Sequence, residues 1–341
     1  MSDKTPSRLA RVCIRVAREL KLGLQGQVVL TEAATGTYAC TPVLAALGEA
    51  KQVLALAAES RYGSVEECEQ AVAQLAGECG CVNRIHVISS REELPLEQAD
   101  ILTNLGHLRP INKKMVARLR PGSVVAAMCE AWEVRPEDID INACRQRGVV
   151  VYATDEDKVG PGVFDYCGVL ALKLLLEAGV EVRGCAIAVI SPDKFGEVID
   201  RYLVAIGARV HRVFGPEEQL PAAVEAVVLA DYTTEHMWFS PSCVISAENL
   251  ARRSPGAVVV HLAGALDLQA LVNSGLVVWP PGPARARRMS RTLDYLGPAP
   301  VVWLHGGGLK VAEAARKGWV RGLRGSELDE WVITHSPAQI L

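Results

Sequence analysis

The fold is decided by the stretch from Arg183 to Phe214, which reads RGCAIAVISPDKFGEVIDRYLVAIGARVHRVF. In this stretch Cys185–Ile190 is a short apolar run that predicts a strand, and Gly196–Ile206 has the spacing of a helix. Ala208–Phe214 then predicts a second strand. A strand, a turn, a helix and a second strand within about 30 residues have the layout of a dinucleotide-binding unit. That layout predicts an α/β protein with a parallel sheet.

The turn of this unit lacks most of the residues that usually bind a dinucleotide. The usual pattern is G-x-G-x-x-G, and its three positions here are Ser191, Asp193 and Gly196. Asp193 places a carboxylate where a pyrophosphate would lie, at a helix N-terminus that favours anions. Phe214 replaces the acidic residue that commonly holds the ribose. We therefore expect NAD(H) to bind weakly or not at all.

Length and composition bound the class of protein. A chain of 341 residues is expected to form two domains, at the usual ~100–200 residues each. Half of the residues are hydrophobic and few are aromatic, which suits buried parallel strands covered by helices. A net charge of −3 excludes a global field that recruits nucleic acid or an acidic membrane. No apolar stretch approaches the ~20 residues of a membrane span, so we expect a soluble cytoplasmic protein.

The ten cysteines are scattered along the chain without a C-x-x-C pair. Zinc sites usually need two such pairs, or a cluster of cysteine and histidine at ligand spacing. Most of these thiols lie in apolar runs, where cysteine behaves as a small hydrophobic residue. We therefore expect buried structural thiols and no metal.

Strand-like and helix-like segments alternate along the whole chain. Further strands are predicted at Gln27–Thr31, Gln52–Ala57, Arg84–Ile88, Ala99–Asn104, Ser123–Met128, Val149–Ala153, Ala226–Leu229, Val258–His261, Leu276–Trp279 and Val301–His305. Further helices are predicted at Arg8–Lys21, Thr41–Glu49, Val65–Gly77, Ile111–Leu119, Ile139–Arg147, Val163–Ala178 and from Val311 to about Leu323. Two successive sets of this kind predict two α/β domains.

Five segments match motifs of a known family in the same order: Asp138–Val151 (DIDINACRQRGVVV), Asp165–Glu177, Arg183–Ile187, Ser254–His261 (SPGAVVVH) and Leu304–Gly307 (LHGG). Through them the chain resembles the D-isomer-specific 2-hydroxyacid dehydrogenase superfamily over most of its length. The resemblance implies two doubly wound parallel-sheet domains. A flavodoxin-like outer domain is expected at residues 1–181 with 309–341, and an inserted Rossmann dinucleotide-binding domain at residues 182–308.

The same resemblance implies an oxidoreductase that uses NAD or NADP and acts on a small anionic metabolite in the interdomain cleft. The positions expected to contact the cofactor are Ser191, Asp193, Gly196, Arg212 and Gly264. The family's catalytic histidine corresponds to His305, which is expected on a glycine-rich turn after a strand. The family also uses an arginine after the strand that ends near His261 and a carboxylate near residues 279–291. This chain has neither.

Small and polar residues also follow the strands of the N-terminal half, at the edge where open α/β sheets bind ligands. We expect an anion to bind at Thr35, Gly36 and Thr37, because backbone N–H groups are free at such a turn. The alternative is that these residues only form a turn and cap a helix. Arg61 and Asn104 are further ligand candidates, although such an arginine is often solvated or salt-bridged.

Three side chains in these loops are candidates for catalysis. Glu130 directly follows an apolar strand, where a carboxyl group is partly desolvated and suits acid–base work. His107 shares the loop after another strand with Asn104 and Arg109, and histidine is the commonest general acid or base. Arg109 is a candidate anchor for a substrate carboxylate, in place of the family's missing arginine.

Three functions remain open at this stage. The first is an NAD(P)-dependent oxidoreductase of altered substrate scope. The second is a non-redox enzyme (a transferase, lyase or cyclase) that binds a nucleotide or phosphorylated ligand at Thr35–Thr37 and uses Glu130 and His107. The third is a non-catalytic ligand-binding partner. We also expect a homodimer, because Val163–Ala178 is apolar nearly all round and needs cover on every side.

Overall fold

The computed structural model describes residues 6–282 and 285–341. The chain forms two compact units. The first contains the N-terminal part up to Val163 together with Gly297–Leu341, and the second is Phe164–Leu296. His305 therefore lies in the first unit, and the helix that follows Phe164 lies in the second. Both positions differ from the domain boundaries expected from the sequence.

Strands and helices alternate through both units. In the described residues the strands are β1 Val28–Glu32, β2 Gln52–Leu56, β3 Ile85–Ile88, β4 Ile101–Thr103, β5 Val124–Ala126, β6 Val150–Thr154, β7 Ala186–Ile190, β8 Arg209–Val213, β9 Ala226–Ala230, β10 Met237–Trp238, β11 Val258–Ala263, β12 Ala265–Leu266, β13 Val277–Trp279 and β14 Ala338–Ile340. The helices are α1 Arg8–Glu19, α2 Cys40–Leu47, α3 Val65–Glu78, α4 Lys113–Arg118, α5 Ile141–Arg147, α6 Tyr166–Glu177, α7 Lys194–Ile206, α8 Ala247–Arg253, α9 Leu268–Asn273, α10 Pro298–Val320 and α11 Gly325–His335.

The sheet of the first unit has the order β14-β6-β5-β4-β1-β2-β3. β1 to β6 run parallel, and β14 pairs antiparallel with β6 at one edge. The parallel part therefore reads 3-2-1-4-5-6, which is the order of dinucleotide-binding domains. All five side chains of β1 are buried, as expected for a central parallel strand.

The second unit has a five-stranded parallel sheet in the order β13-β11-β9-β7-β8 and a separate parallel pair, β10 with β12. Numbered from the unit's own first strand, the large sheet reads 2-1-3-4-5, which is the order of flavodoxin. In the described residues no helix or strand lies between Val213 and Ala226, so this sheet has no strand beyond β8.

The predicted fold class of two doubly wound parallel-sheet domains is confirmed. The two strand orders occur in the opposite units from those that the family resemblance implied. The reason is local: β3 adds a strand beyond β2 in the first unit, whereas the segment after β8 is too short to add one in the second.

The predicted strand Val301–His305 is wrong, because these residues lie inside α10, a continuous helix of 23 residues. Gly306–Gly308 favoured a turn in the sequence, yet in the structure they make room for close packing. A Cβ atom on any of them would come within 2.6–2.7 Å of a neighbouring side chain: Val16, Val159 or Met128. Packing thus outweighs the low helix propensity of glycine, which costs about 1 kcal/mol per residue.

Each unit has its own apolar core. Neighbouring strands of the first unit contribute Leu30, Leu56 and Leu102. The core of the second unit includes Trp238 and Phe239, which are at most 1% exposed. In the described parts of the chain, no helix has both the length and the apolar character needed to cross a membrane.

Candidate functional site

Each of the two large sheets has one topological switch point, where the connections from two neighbouring strands run in opposite directions. It lies between β1 and β4 in the first unit and between β7 and β9 in the second. Ligands of open α/β sheets bind outside the carboxyl ends of the strands at such points. The chain therefore offers two candidate sites, one in each unit.

The switch point of the second unit is filled by the carboxylate of Asp193. This residue caps α7: its Oδ1 accepts the N–H of Phe195 at 3.0 Å and the hydroxyl of Ser191 at 2.9 Å. Its Oδ2 accepts the N–H of Tyr232, which follows β9, at 2.9 Å. Burial raises the pKa of Asp193, and the hydrogen bonds from Tyr232 and Ser191 lower it. A protein carboxylate thus accepts the N–H groups that a pyrophosphate accepts in a dinucleotide-binding unit.

The other three positions expected to contact a cofactor in this unit pack against protein. A Cβ atom on Gly196 would overlap the guanidinium of Arg212, so this glycine makes room for that side chain. Arg212 donates to the Ser191 carbonyl at 3.3 Å and lies over the ring of Phe214. Gly264 lies close to β9, since its Cβ would be 3.0 Å from the carbonyl oxygen of Asp231. A nicotinamide dinucleotide therefore does not fit this turn as it stands.

At the switch point of the first unit, the buried carboxyl group of Glu32 ends β1. Its side chain is 6% exposed, and its Oε2 accepts the backbone N–H of His107 at 3.0 Å. Burial raises the pKa of Glu32 above its ordinary value, while the His107 N–H and the charges of His107 and Arg109 oppose that shift. Behind it, the hydroxyls of Thr31 and Thr103 join β1 to β4 at 2.9 Å. A carboxyl group with a raised pKa is suited to proton transfer.

The structure therefore brings the predicted residues His107 and Arg109 together with Glu32. Arg91 holds their loop in place by donating to the carbonyls of residues 107–110 at 2.7–3.0 Å. Arg109 pairs with Asp138 at 3.2 Å, and 37% of its side chain stays exposed. Arg109 is thus held by an ion pair while part of its side chain faces solvent.

Asn104 and Glu130 brace the first unit internally. Asn104 accepts the N–H of Met128 at 2.8 Å, which ties the end of β4 to the end of β5. Glu130 accepts the N–H of Glu156 at 3.2 Å and the side-chain amide of Gln339 in β14 at 2.7 Å. The side-chain oxygens that Asn104 would use in ligand binding and Glu130 in proton transfer thus already accept hydrogen bonds within the protein.

Glu130 also belongs to a group of carboxylates. Its oxygens lie within 4.8 Å of those of Asp155 and Asp157. Lys158 pairs with Asp155 at 2.9 Å and neutralises part of this charge.

The turn predicted to bind an anion lies beside Glu32. The Thr35 hydroxyl donates to the carbonyl of Tyr62 at 2.9 Å, so the loop that carries Arg61 packs on this turn. Gly36 is exposed, has φ of +58°, and has open space where a Cβ would stand. Thr37 follows in the one-turn 3₁₀ helix Gly36–Ala39 that leads into α2.

A sequence signal at this turn was missed. Ala34–Ala39 reads A-x-G-x-x-A directly after β1, which is the dinucleotide fingerprint with its first glycine replaced by alanine. Glu59 follows β2, 20 residues after Ala39, where an acidic residue that contacts a ribose is expected. The strand order that matches this fingerprint occurs in the first unit.

His305 does not lie on a glycine-rich turn, which corrects the prediction for that residue. It lies within α10 and is 3% exposed. Its Nδ1 is 2.6 Å from the hydroxyl of Thr41 and 3.8 Å from the Cys40 sulfur. Burial lowers the pKa of His305 to about 4, so the ring is neutral near pH 7. These contacts hold His305 in the interior of the first unit, and its catalytic role stays a prediction.

Searches with the sequence found no matching family model and no matching curated protein. The fold, however, matches solved structures. One is the dipicolinate synthase A chain from Bacillus subtilis, with a TM-score of 0.52 and 10% identity over 88% of this chain and 98% of that one. The two chains share one fold.

Structures of named dehydrogenases match as well, with lower scores. A 2-hydroxyacid dehydrogenase from Ketogulonicigenium vulgare has a TM-score of 0.47 at 11% identity, covering 88% of this chain and 97% of that one. NAD+-bound 3-phosphoglycerate dehydrogenase from Entamoeba histolytica has 0.46 at 10% identity, covering 92% and 99%. Such low identity establishes no activity.

Proposed function

We propose that the protein is a non-redox enzyme that binds a nucleotide at the β1/β4 switch point of its first unit. One observation carries this proposal: an open glycine turn stands at that switch point next to the buried carboxyl of Glu32, whereas the corresponding turn of the second unit is filled by Asp193. The first turn is free to receive phosphate oxygens, and the second is not.

The residues around the first turn have separate roles in this proposal. Gly36 lets the backbone approach the phosphates, because no side chain intervenes. Glu59 accepts hydrogen bonds from the ribose hydroxyls with the oxygen that does not cap α3 at Val65. Glu32 holds or releases the transferred proton, since burial raises its pKa above its ordinary value. Arg109 anchors an anionic group of the second reactant.

Gly36→Ala is expected to weaken nucleotide binding at least tenfold, because the new methyl group separates the backbone from the phosphates. Calorimetry or thermal shift with ATP, S-adenosylmethionine, NAD and NADP measures the effect. A ligand present at 100 times its Kd adds about 2.7 kcal/mol of stability to the parent protein. Gly26→Ala is the matched control, since Gly26 is exposed, has φ of +78° and is equally uncrowded, but lies before β1. Equal binding by both variants, or no stabilisation of the parent by any of these nucleotides, would contradict the proposal.

The second candidate is the activity that the family resemblance implies: an NAD(P)-dependent oxidoreductase acting on a small anionic metabolite. One observation favours it. Arg212 lies near the end of β8, where an arginine accommodates the 2′-phosphate of NADP, and its buried Nε has no hydrogen-bond partner. Asp193 stands against it, because its carboxylate would face the pyrophosphate.

If the second unit can accept a dinucleotide, Asp193→Gly should bind NADPH at least tenfold more tightly than the parent does. The substitution removes a buried negative charge and frees the N–H groups of Phe195 and Tyr232 for phosphate oxygens. Calorimetry measures the affinity. Asp267→Gly is the control, because Asp267 caps α9 in the same unit by accepting the Ala270 N–H at 2.9 Å. Unchanged NADPH affinity in Asp193→Gly would show that this position does not control the site.

A further inference from the structure

Two thiol–imidazole pairs occur within hydrogen-bond distance in residues 6–282 and 285–341. Cys40 and His305 form the first at 3.8 Å, and both are buried. The other pair is formed by Cys243 and His236 of the second unit, with Sγ 3.4 Å from Nε2. Both of these side chains are partly exposed. Only the second pair is open to a reagent in solvent.

The protein holds both members of this second pair in place. His236 packs edge-on against the indole of Trp238, with ring centroids 4.7 Å apart. Trp238 is itself 1% exposed, and its Nε1 donates to Asp231 at 2.8 Å. Cys243 closes a turn by donating its backbone N–H to the Ser240 carbonyl at 3.0 Å. The imidazole and the sulfur are therefore oriented by the core of the unit rather than by solvent.

The surroundings of the sulfur suit the transfer of its proton. Sγ lies 3.2 Å from the Met237 carbonyl, which accepts from the thiol form, and 3.1 Å from the Ser240 hydroxyl. When the thiol proton passes to His236 Nε2, the sulfur gains two donors, the Ser240 O–H and the new imidazolium N–H. A nucleophile beside an oriented base is the arrangement that activates cysteine toward electrophiles.

We propose that Cys243 and His236 form a reactive-thiol site that exchanges with small-molecule disulfides. In this step Cys243 Sγ attacks one sulfur of the disulfide while its proton moves to His236 Nε2. A new S–S bond forms, the old S–S bond breaks, and the departing thiolate takes the proton from His236. One thiol and one disulfide become another thiol and a mixed disulfide, so no further oxidant is required.

The other thiols provide the comparison. Burial raises the pKa of seven of them: Cys13, Cys40, Cys68, Cys79, Cys81, Cys129 and Cys144. Cys185 is the matched control, because it lies in the same unit and is also partly exposed. In the hydrogen bonds found for the described residues, its sulfur has no histidine partner.

The test exposes the folded protein to glutathione disulfide, and separately to iodoacetamide, and follows each cysteine by peptide mass spectrometry over time. We expect Cys243 to react at least tenfold faster than Cys185 with both reagents. His236→Gln should remove most of this difference and leave the rate at Cys185 unchanged. In concentrated guanidinium chloride the two thiols should react at similar rates, because the excess depends on folded geometry.

Two results would overturn the proposal. One is a Cys243 rate no greater than that of Cys185 in the folded parent protein, which needs no variant. The other is an undiminished excess of the Cys243 rate over the Cys185 rate in His236→Gln, provided that circular dichroism shows the variant folded. If that variant does not fold, His236→Asn replaces it under the same criterion.

Discussion

Asp100→Ala is expected to lower the free energy of unfolding of the first unit by about 3–5 kcal/mol. Asp100 is 7% exposed and accepts three hydrogen bonds. Its Oδ1 accepts from Arg120 and Arg316 at 2.7 Å each, and its Oδ2 accepts the backbone N–H of Val28 at 2.8 Å. Burial lowers the pKa of Arg316, and the Asp100 charge raises it. Removal of the carboxylate leaves the largely buried Arg316 cation without its acidic partner and the N–H of Val28, at the start of β1, without its acceptor.

The measurement is denaturant unfolding monitored by hydrogen exchange. Exchange in peptides from β1, β4 and α10 reports on the first unit alone. Asp100→Asn separates charge from size, because it retains an acceptor for Val28 and loses the ion pairs. Glu19→Ala is the surface control, since the Arg15–Glu19 pair is 4.0 Å apart with both side chains 48% exposed. A change below about 1 kcal/mol in Asp100→Ala would contradict the account of this network.

His305 is expected to make the first unit less stable by about 3 kcal/mol at pH 4 than at pH 7. Its pKa is about 4 in the folded protein, where burial disfavours the imidazolium, and about 6.5 in an unfolded chain. Between these values the unfolded chain binds a proton that the folded chain does not. The loss of folding stability caused by His305 is therefore absent above about pH 6.5 and grows as the pH falls toward 4.

Unfolding of the parent protein and His305→Gln across this pH range isolates the effect, because only the difference between the two belongs to His305. The variant should lose the corresponding part of the pH dependence. It retains an amide partner for Thr41, which lies 2.6 Å from Nδ1 in the parent. An identical pH dependence in both proteins would show that His305 is not buried in the neutral form. Unchanged catalytic turnover in this variant, once a reaction is identified, would exclude the family's role for His305.

The sequence predicted most of the strands and helices because parallel sheets and their helices leave a clear periodicity. The strand β7, for example, was predicted one residue too long, at Cys185–Ile190. The clearest error was α10, where Gly306–Gly308 reads as a turn unless one knows that Val16, Val159 and Met128 pack against it. Close approach between distant segments leaves no local pattern. The short elements β10, β12 and β14 were missed for the same reason, since their partners define them.

The candidate site was predictable where one residue type decides the chemistry. Asp193 lies at the predicted turn and caps α7, because its carboxylate accepts the backbone N–H of Phe195. Glu32 was missed, although it ends a buried strand, because its neighbour His107 lies 75 residues away in the chain. At strand ends, Asn104 was predicted to bind a ligand and Glu130 to transfer a proton. Their hydrogen-bond partners Met128 and Gln339 come from elements that the sequence alone does not bring together.

The order in which the two units become complete during synthesis follows from the path of the chain. The second unit is one uninterrupted segment, Phe164–Leu296, whereas the first needs Gly297–Leu341 as well. α10 contacts α1, α2, β5 and β6, so these elements leave the ribosome long before the helix that covers them. The second unit is therefore expected to complete its fold first, against the usual N-to-C order of domain folding. A nascent chain halted after residue 296 carries a complete second unit and a first unit that still exposes the apolar surface awaiting α10.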